Sequence, residues 1–300
     1  MNVSMQRITE ATQRLERARA LHRRRIGALL RLAQRKAVAD AALALVPLGT
    51  GPAQIELLAA VAARPDADQR AIGAALGVDR SSITALVDAA EDRGWLMRNA
   101  GRDRRRKLLD LTDSGRTILD RGLSILGEAG MATFAPLAPD TARLLDMLHR
   151  IAAPYRILAG APPVLVDLPA FLIRRVAQAA NMVFTETAGG DALPGLDYTI
   201  LLLLDQGLAE TQADLLLAIS TFRSSTMPAL RRLEAGGLIE RAAAAGDRRR
   251  RHLRATAAGI AHLRRLETPI DTYETAFLAP LAAVEVQALR DGLARIVDTV

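Results

Sequence analysis

The chain contains no cysteine. Disulfides, thiolate metal sites and thiol redox sensing are therefore excluded together. Lysine is nearly missing as well. Of 40 basic residues only Lys36 and Lys107 are lysines, and the rest are arginines, whose planar guanidinium suits phosphate and groove contacts. The four histidines, His22, His149, His252 and His262, show no paired ligand spacing, so neither a metal nor a cofactor is expected. No apolar run approaches the roughly 20 residues that a membrane helix needs. The opening MNVSMQRITEATQRLERARALHRRR lacks the apolar core of a secretory signal, and a cytoplasmic protein with no membrane partner is expected. Also missing are a paired-carboxylate cluster for Mg²⁺ and a glycine-rich phosphate loop ending in Lys-Ser/Thr. With no thiol nucleophile either, the pattern counts against a nucleic-acid enzyme.

What is present is apolar bulk and positive charge. Half of the 300 residues are apolar, enough for two domains with packed cores. A net charge of +7 favours a polyanionic partner, because clustered basic side chains release condensed counterions when they meet phosphates. Charge alone does not separate DNA from RNA or an acidic membrane.

The charge is concentrated in two matched stretches, GRDRRRKLLDLTDSG at 101–115 and GDRRRRHLRATAAG at 246–259. Sliding the chain on itself by 143 positions lays Arg80, Ser81, Ser82, Glu91 and Gly94 on Arg223, Ser224, Ser225, Glu234 and Gly237. One added residue then moves the offset to 144. Asp103, Arg104, Arg105, Arg106, Thr112 and Gly115 fall on Asp247, Arg248, Arg249, Arg250, Thr256 and Gly259. A period this long implies two copies of one domain rather than a solenoid.

Each copy reads as three helices, a two-stranded ribbon and two further helices. In the first, Pro52 opens an apolar helix, Asp68 can cap QRAIGAAL, and Gly77 supplies a tight turn before a helix begun by Asp79. That helix buries Ile83, Leu86, Val87 and Ala90 on one face. The strands WLMRN and KLLDLT flank AGRDRRR, which places the arginines on a hairpin next to a helix-turn-helix. The fold class is thus mainly α with short β-hairpin wings: two tandem winged helix-turn-helix domains joined through a helical pseudo-dimer interface. Residues 1–152 are expected to form the first domain with an N-terminal helical extension, solvated or loosely docked. Residues 153–166 are a Pro-rich linker, and 167–300 the second domain.

At LGVDRSSITALVDAAEDRGWLMR and DRRRKLLDLTDSG, and at their counterparts STFRSSTMPALRRLEAGGLIER and DRRRRHLRATAAG, the sequence resembles the MarR family of bacterial transcriptional regulators. Family members usually carry one such domain and act as homodimers, so the resemblance implies two protomers fused into one monomeric chain, with further dimerisation open. It also implies double-stranded DNA as partner, read by two helices in successive major grooves roughly 34 Å apart. Arg80, Ser81, Ser82, Thr84 and Asp88 would face DNA in the first copy, and Arg223, Ser224, Ser225, Met227 and Arg231 in the second. Because Thr84 becomes Met227 and Asp88 becomes Arg231, unequal half-sites are expected. Pro228 favours a second helix that starts late, capped by Ser224 or Ser225.

On the wings the resemblance implies that Arg105 and Arg249 enter the minor groove, held by Asp103 and Asp247. Arg104, Arg106, Lys107, Arg248, Arg250 and Arg251 would then meet phosphates. The stripes LLRLAQRKAV and LIRRVAQAANMVF share an Ala-Gln pair, Ala33-Gln34 with Ala177-Gln178, and read first as core and pseudo-dimer interface. Many family members bind small aromatic acids or phenols beside these helices. Arg31, Arg175 and Tyr198 are the candidates for such an effector. The leading expectation is a repressor relieved by a ligand; the rival within the binding class is a winged-helix protein scaffold without specific DNA reading.

Overall fold

The computed structural model describes residues 3–65, 67–100, 107–219, 223–244 and 247–298. In chain order the first elements are α1 (Val3–Arg23), α2 (Ile26–Leu45), α3 (Pro52–Ala62), α4 (Gln69–Leu76), α5 (Arg80–Asp92), β1 (Leu96–Ala100), β2 (Lys107–Leu111), α6 (Asp113–Phe134) and α7 (Thr141–Ala152). There follow α8 (Pro163–Val166), α9 (Pro169–Ala188), α10 (Gly195–Asp205), α11 (Gln212–Ile219), α12 (Arg223–Ala235), β3 (Ile239–Ala244), β4 (Asp247–Ala255), α13 (Ala257–Leu278) and α14 (Ala283–Asp298).

These elements pack into two units, neither continuous in sequence. The larger comprises Ala33–Ala179 with Pro280–Val300, the smaller Met1–Leu32 with Ala180–Ala279. The boundaries fall inside α2 and α9, whereas the division expected from chain order lies at 152 and 167. Each unit therefore takes pieces from both halves of the chain.

In the larger unit α3 is the central helix. Gly51 and Pro52 start it, and Ile55, Leu57, Leu58 and Val61 are buried against Ile72 and Leu76 of α4 and Ile83 and Val87 of α5. Asp68 caps α4 by accepting from Ala71 N at 2.9 Å, and Gly77 ends it in the left-handed region at φ 65°, where a β-carbon is disfavoured. The antiparallel hairpin β1–β2 pairs Leu96 with Leu111 and Arg98 with Leu109. Its inward side adds Leu96, Leu109 and Leu111 to the core. The segment expected as a linker also joins this core: Leu165 is fully buried, with Leu158 and Ala161 packed beside it.

The smaller unit repeats the plan with Ile200, Leu201 and Leu203 of α10 against Leu215 of α11 and Leu230 of α12. Its hairpin β3–β4 pairs Ile239 with Ala255 and Arg241 with Leu253, and breaks register between Ala243 and Ala244. Here α1 is docked rather than solvated. Ala18 is fully buried in the core, Leu15 and Leu21 pack alongside, and Arg14 reaches Glu210 at 3.3 Å.

Candidate nucleic-acid interface and effector cleft

The first exposed turn of α5 is organised by one carboxylate. Asp79 accepts from Ser81 N and Ser82 N, both at 2.9 Å, and from the two hydroxyls, Ser81 Oγ at 2.6 Å and Ser82 Oγ at 2.7 Å. These bonds, the Ser81 hydroxyl foremost, hold the Asp79 carboxyl well below the usual carboxylate range. The turn between α4 and α5 is thus fixed from both sides, by Gly77 and by Asp79. Arg80, Ser81, Ser82, Thr84 and Asp88 are all exposed along α5, as the helical spacing requires once Ile83, Val87 and Ala90 face inward.

Thr84 and Asp88 reach beyond this turn to other elements. Thr84 Oγ1 accepts from Gln69 Nε2 at 2.7 Å and donates to Arg80 O at 2.8 Å, which ties α5 to the start of α4. Asp88 and Glu91 both receive Arg98 of β1, and this double ion pair raises the guanidinium pKa, the Asp88 bond being the largest cause. Arg98 therefore couples the wing's first strand to the exposed helix. In the smaller unit Arg241 of β3 pairs with Glu234 in the same way, while Arg231, at the place of Asp88, is exposed.

The second candidate helix, α12, runs from Arg223, so the late start expected from Pro228 is not what is found. Pro228 stands inside the helix at its sixth residue. The buried face of Thr226, Ala229, Leu230 and Leu233 holds the helix in place despite the lost backbone donor. Arg232 adds a two-pronged bond to the buried carboxylate of Asp197 on α10, at 2.9 and 2.6 Å. Arg223, Ser224, Ser225, Pro228 and Arg231 are exposed, and Met227 is half-buried against the core.

Asp103, Arg104, Arg105 and Arg106 lie outside the described residues. Asp247, Arg248, Arg249 and Arg250 belong to β4, of which the backbone alone is described at these positions. The wing bases are well defined. Thr112 caps α6 by accepting from Gly115 N at 3.0 Å, and donates to Gly94 O at 2.6 Å. Thr256 does the same for α13, with Gly259 N at 3.1 Å and Gly237 O at 2.7 Å.

Of the three effector candidates, the structure brings two together. Arg31 and Tyr198 line a cleft of about 430 Å³, counting its open mouth, within the smaller unit. Arg25, Asn181, Phe184 and Tyr273 complete its polar and aromatic wall. Arg31 donates to Gly195 O at 3.3 Å, and Arg25 to Asp271 at 2.6 Å. Burial raises the Tyr198 phenol, against the opposing pull of Arg25. Arg175 is elsewhere. It is buried in the larger unit, where its Nε donates to Ile157 O at 2.9 Å and its Nη1 to Gln178 Oε1 at 2.8 Å; burial first, then Arg174, lower it to about 10.

Sequence reasoning missed Gln69, Arg98, Asp197 and Arg232. The 143-residue repeat of Glu91 with Arg98 as Glu234 with Arg241 was the available signal for one of these pairs. Among the described residues no group of His, Asp or Glu is close enough to hold a metal, and no single helix is long and apolar enough to cross a membrane.

Residues 48–106 match the model of the MarR family. The chain is also similar to three solved structures of transcriptional regulators. A probable transcriptional regulator from Pseudomonas aeruginosa is 27% identical over 43% of this chain and 96% of that one, with a TM-score of 0.40. The PcaV transcriptional regulator from Streptomyces coelicolor, in complex with its natural ligand, is 28% identical over 45% of this chain and 95% of that one, with a TM-score of 0.41. A MarR-family transcriptional regulator from Rhodococcus sp. RHA1 is 32% identical over 43% of this chain and 94% of that one, with a TM-score of 0.38. No curated protein matches.

Proposed function

We propose that the chain is a sequence-specific, non-enzymatic regulator of transcription that binds double-stranded DNA in the bacterial cytoplasm. In this reading it is a repressor released by a small aromatic acid or phenol. The observation that carries the reading is the face of α5 within the MarR-family stretch: a rigid turn set by Gly77 and Asp79 presents Arg80, Ser81, Ser82 and Thr84 at the start of an exposed helix. Backbone amides and a cation at such a helix start suit phosphate and base-edge contacts.

The chain acts as an intramolecular pseudo-dimer of two duplicated domains. Matched helices support this: α3 and α10 have 11 residues each, α4 and α11 have 8, α5 and α12 have 13, and α6 and α13 have 22. The paired caps Thr112 and Thr256 point the same way. Arg105 and Arg249 are assigned to the minor groove, with their aspartates Asp103 and Asp247, and the remaining wing arginines to phosphates. Arg31 and Tyr198 are assigned to the effector. Because Asp88, an acid paired with Arg98, is replaced by the exposed cation Arg231, the two halves read different sequences, and the operator is an imperfect palindrome.

Fluorescence anisotropy tests the proposal, with DNA from upstream of the protein's own gene against a scrambled duplex across a salt series. Tight binding to the native DNA alone, with log K falling by about 0.9 per phosphate contact for each decade of salt, is the expected result. Binding to neither duplex at low salt would replace the regulator with a protein-interaction scaffold.

A further inference from the structure

We propose that each chain has one working effector cleft, the one in the smaller unit, and that the corresponding position beside Arg174 in the larger unit is filled by the side chains of Ile55 and Phe171. This rests on the reading of the chain as two fused protomers. The closed counterpart can be located residue by residue. Helices α2 and α9 are both 20 residues long and start and end 143 positions apart, and α3 and α10 keep the same offset; α6 and α13 are 144 apart at both ends. The counterpart of Arg31 is therefore Arg174, not the neighbouring Arg175 to which the shared Ala-Gln pair points.

In this register every polar group that lines the cleft, except one, becomes apolar. Tyr198 is replaced by Ile55, Asn181 by Val38, Tyr273 by Ala129 and Arg25 by Leu168. Ala28, which leaves room in the cleft, is replaced by Phe171, fully buried in the larger unit's core together with Ile55 and Leu126. The one retained cation is committed to the protein. Arg174 lies 5.0 Å above the Phe171 ring, pairs with Glu56 Oε2 at 2.5 Å and donates to Leu76 O at 3.0 Å. Glu56 is itself buried, and Thr199 occupies its place in the smaller unit. An anion entering beside Arg174 would have to break a buried ion pair and displace an aromatic ring.

The open cleft offers what a small aromatic carboxylate needs. Phe184 and Tyr273 meet edge to face at 5.8 Å and give an aromatic wall; Arg31 gives positive charge, Arg25 being already paired with Asp271 and Glu274; Tyr198 gives a hydroxyl. One ligand would then bias only the unit that holds α12, so release from DNA begins at one half-site.

The absence of native cysteine provides a direct test, with 5,5′-dithiobis(2-nitrobenzoate) as probe. In Tyr198→Cys the thiolate attacks the disulfide, forms a mixed disulfide and releases one nitrothiobenzoate, expected to go to completion in the native protein. Ile55→Cys should react about 100-fold more slowly, because its thiol is reached only through local opening; Leu126→Cys serves if that variant does not fold. Calorimetry of the unaltered chain with 4-hydroxybenzoate should give one molecule per chain, and Ala28→Phe, which copies the plug, should abolish it. Comparable labelling at both positions, or two ligands per chain, overturns the single cleft. One-sided labelling without any 4-hydroxybenzoate binding overturns the aromatic-acid assignment. Failure of the regulator reading itself would show separately, as absence of DNA binding with the one-sided labelling intact.

Discussion

The glycines beside the wings show how a single hydrogen can decide local architecture. A β-carbon on Gly115 would stand 2.1 Å from the Trp95 carbonyl oxygen, and one on Gly259 would stand 2.2 Å from that of Leu238. Both obstacles are backbone atoms, pinned there because Thr112 N bonds to Trp95 O and Thr256 N to Leu238 O, each at a length near 3 Å. Gly94 and Gly237 are special for the other reason. They adopt φ of 68° and 66° with open space where a side chain would go. Gly115→Ala and Gly259→Ala should thus each cost about 3 kcal/mol by overpacking against backbone, whereas Gly94→Ala should cost only about 1 kcal/mol for its left-handed conformation. Urea unfolding of the purified variants measures this, and equal losses at Gly94 and Gly115 would refute the packing explanation. The matched Thr-x-x-Gly spacing, Thr112 to Gly115 and Thr256 to Gly259, was visible in the sequence. Its cause was not, because the carbonyl that forbids a β-carbon reaches the helix start only when the hairpin closes.

At the scale of elements, legibility followed how local the determining forces are. The caps Asp68 and Asp79, the turn at Gly77 and the apolar spacing of α5 are decided within a few residues, and they stand where the pattern put them. The sequence left α1 open between solvated and loosely docked, because its apolar face is thin and its docking depends on Ala18 finding the core of a unit assembled from residues near 200. The 153–166 segment reads as a connector by composition, yet Leu165, with Leu158 and Ala161 beside it, commits it to a core. Helix α12 is the sharpest case. Local propensity argues for a start beyond Ser224, while burial of Thr226 and Leu230 together with the Arg232–Asp197 pair keeps the helix continuous through Pro228. Pro228→Ala should then restore the missing amide bond and stabilise the smaller unit by up to about 3 kcal/mol. Differential scanning calorimetry would register it as a raised transition for that unit. An unchanged transition would mean that the amide bond lost at Pro228 costs the fold nothing.

For the whole molecule, the consequential feature is that each unit draws residues from both halves of the sequence. The larger unit's core takes Ile55 and Leu58 from before the 153–166 segment and Leu165 and Phe171 from within and after it. The smaller unit's core joins Ala18 to Ile200 and Leu230. A duplication followed by fusion of intertwined protomers, as proposed above, would leave this pattern, and the covalent link would then convert their association into an intramolecular step at an effective concentration on the order of mM. Cutting the link should expose what it supplies. With a protease site inserted beside Ala159, an exposed residue, the cleaved chain should still elute as one particle at micromolar concentration, because separation would strip Leu165 and Phe171 from one core and Ala18 from the other. Below some concentration the fragments must part, and DNA affinity, flat on dilution for the intact chain, should then fall steeply with protein concentration. Size-exclusion chromatography with anisotropy on the same samples measures both. Independent elution of two folded fragments at micromolar concentration would show that each half completes its own core, and the shared-core basis of the pseudo-dimer would fail.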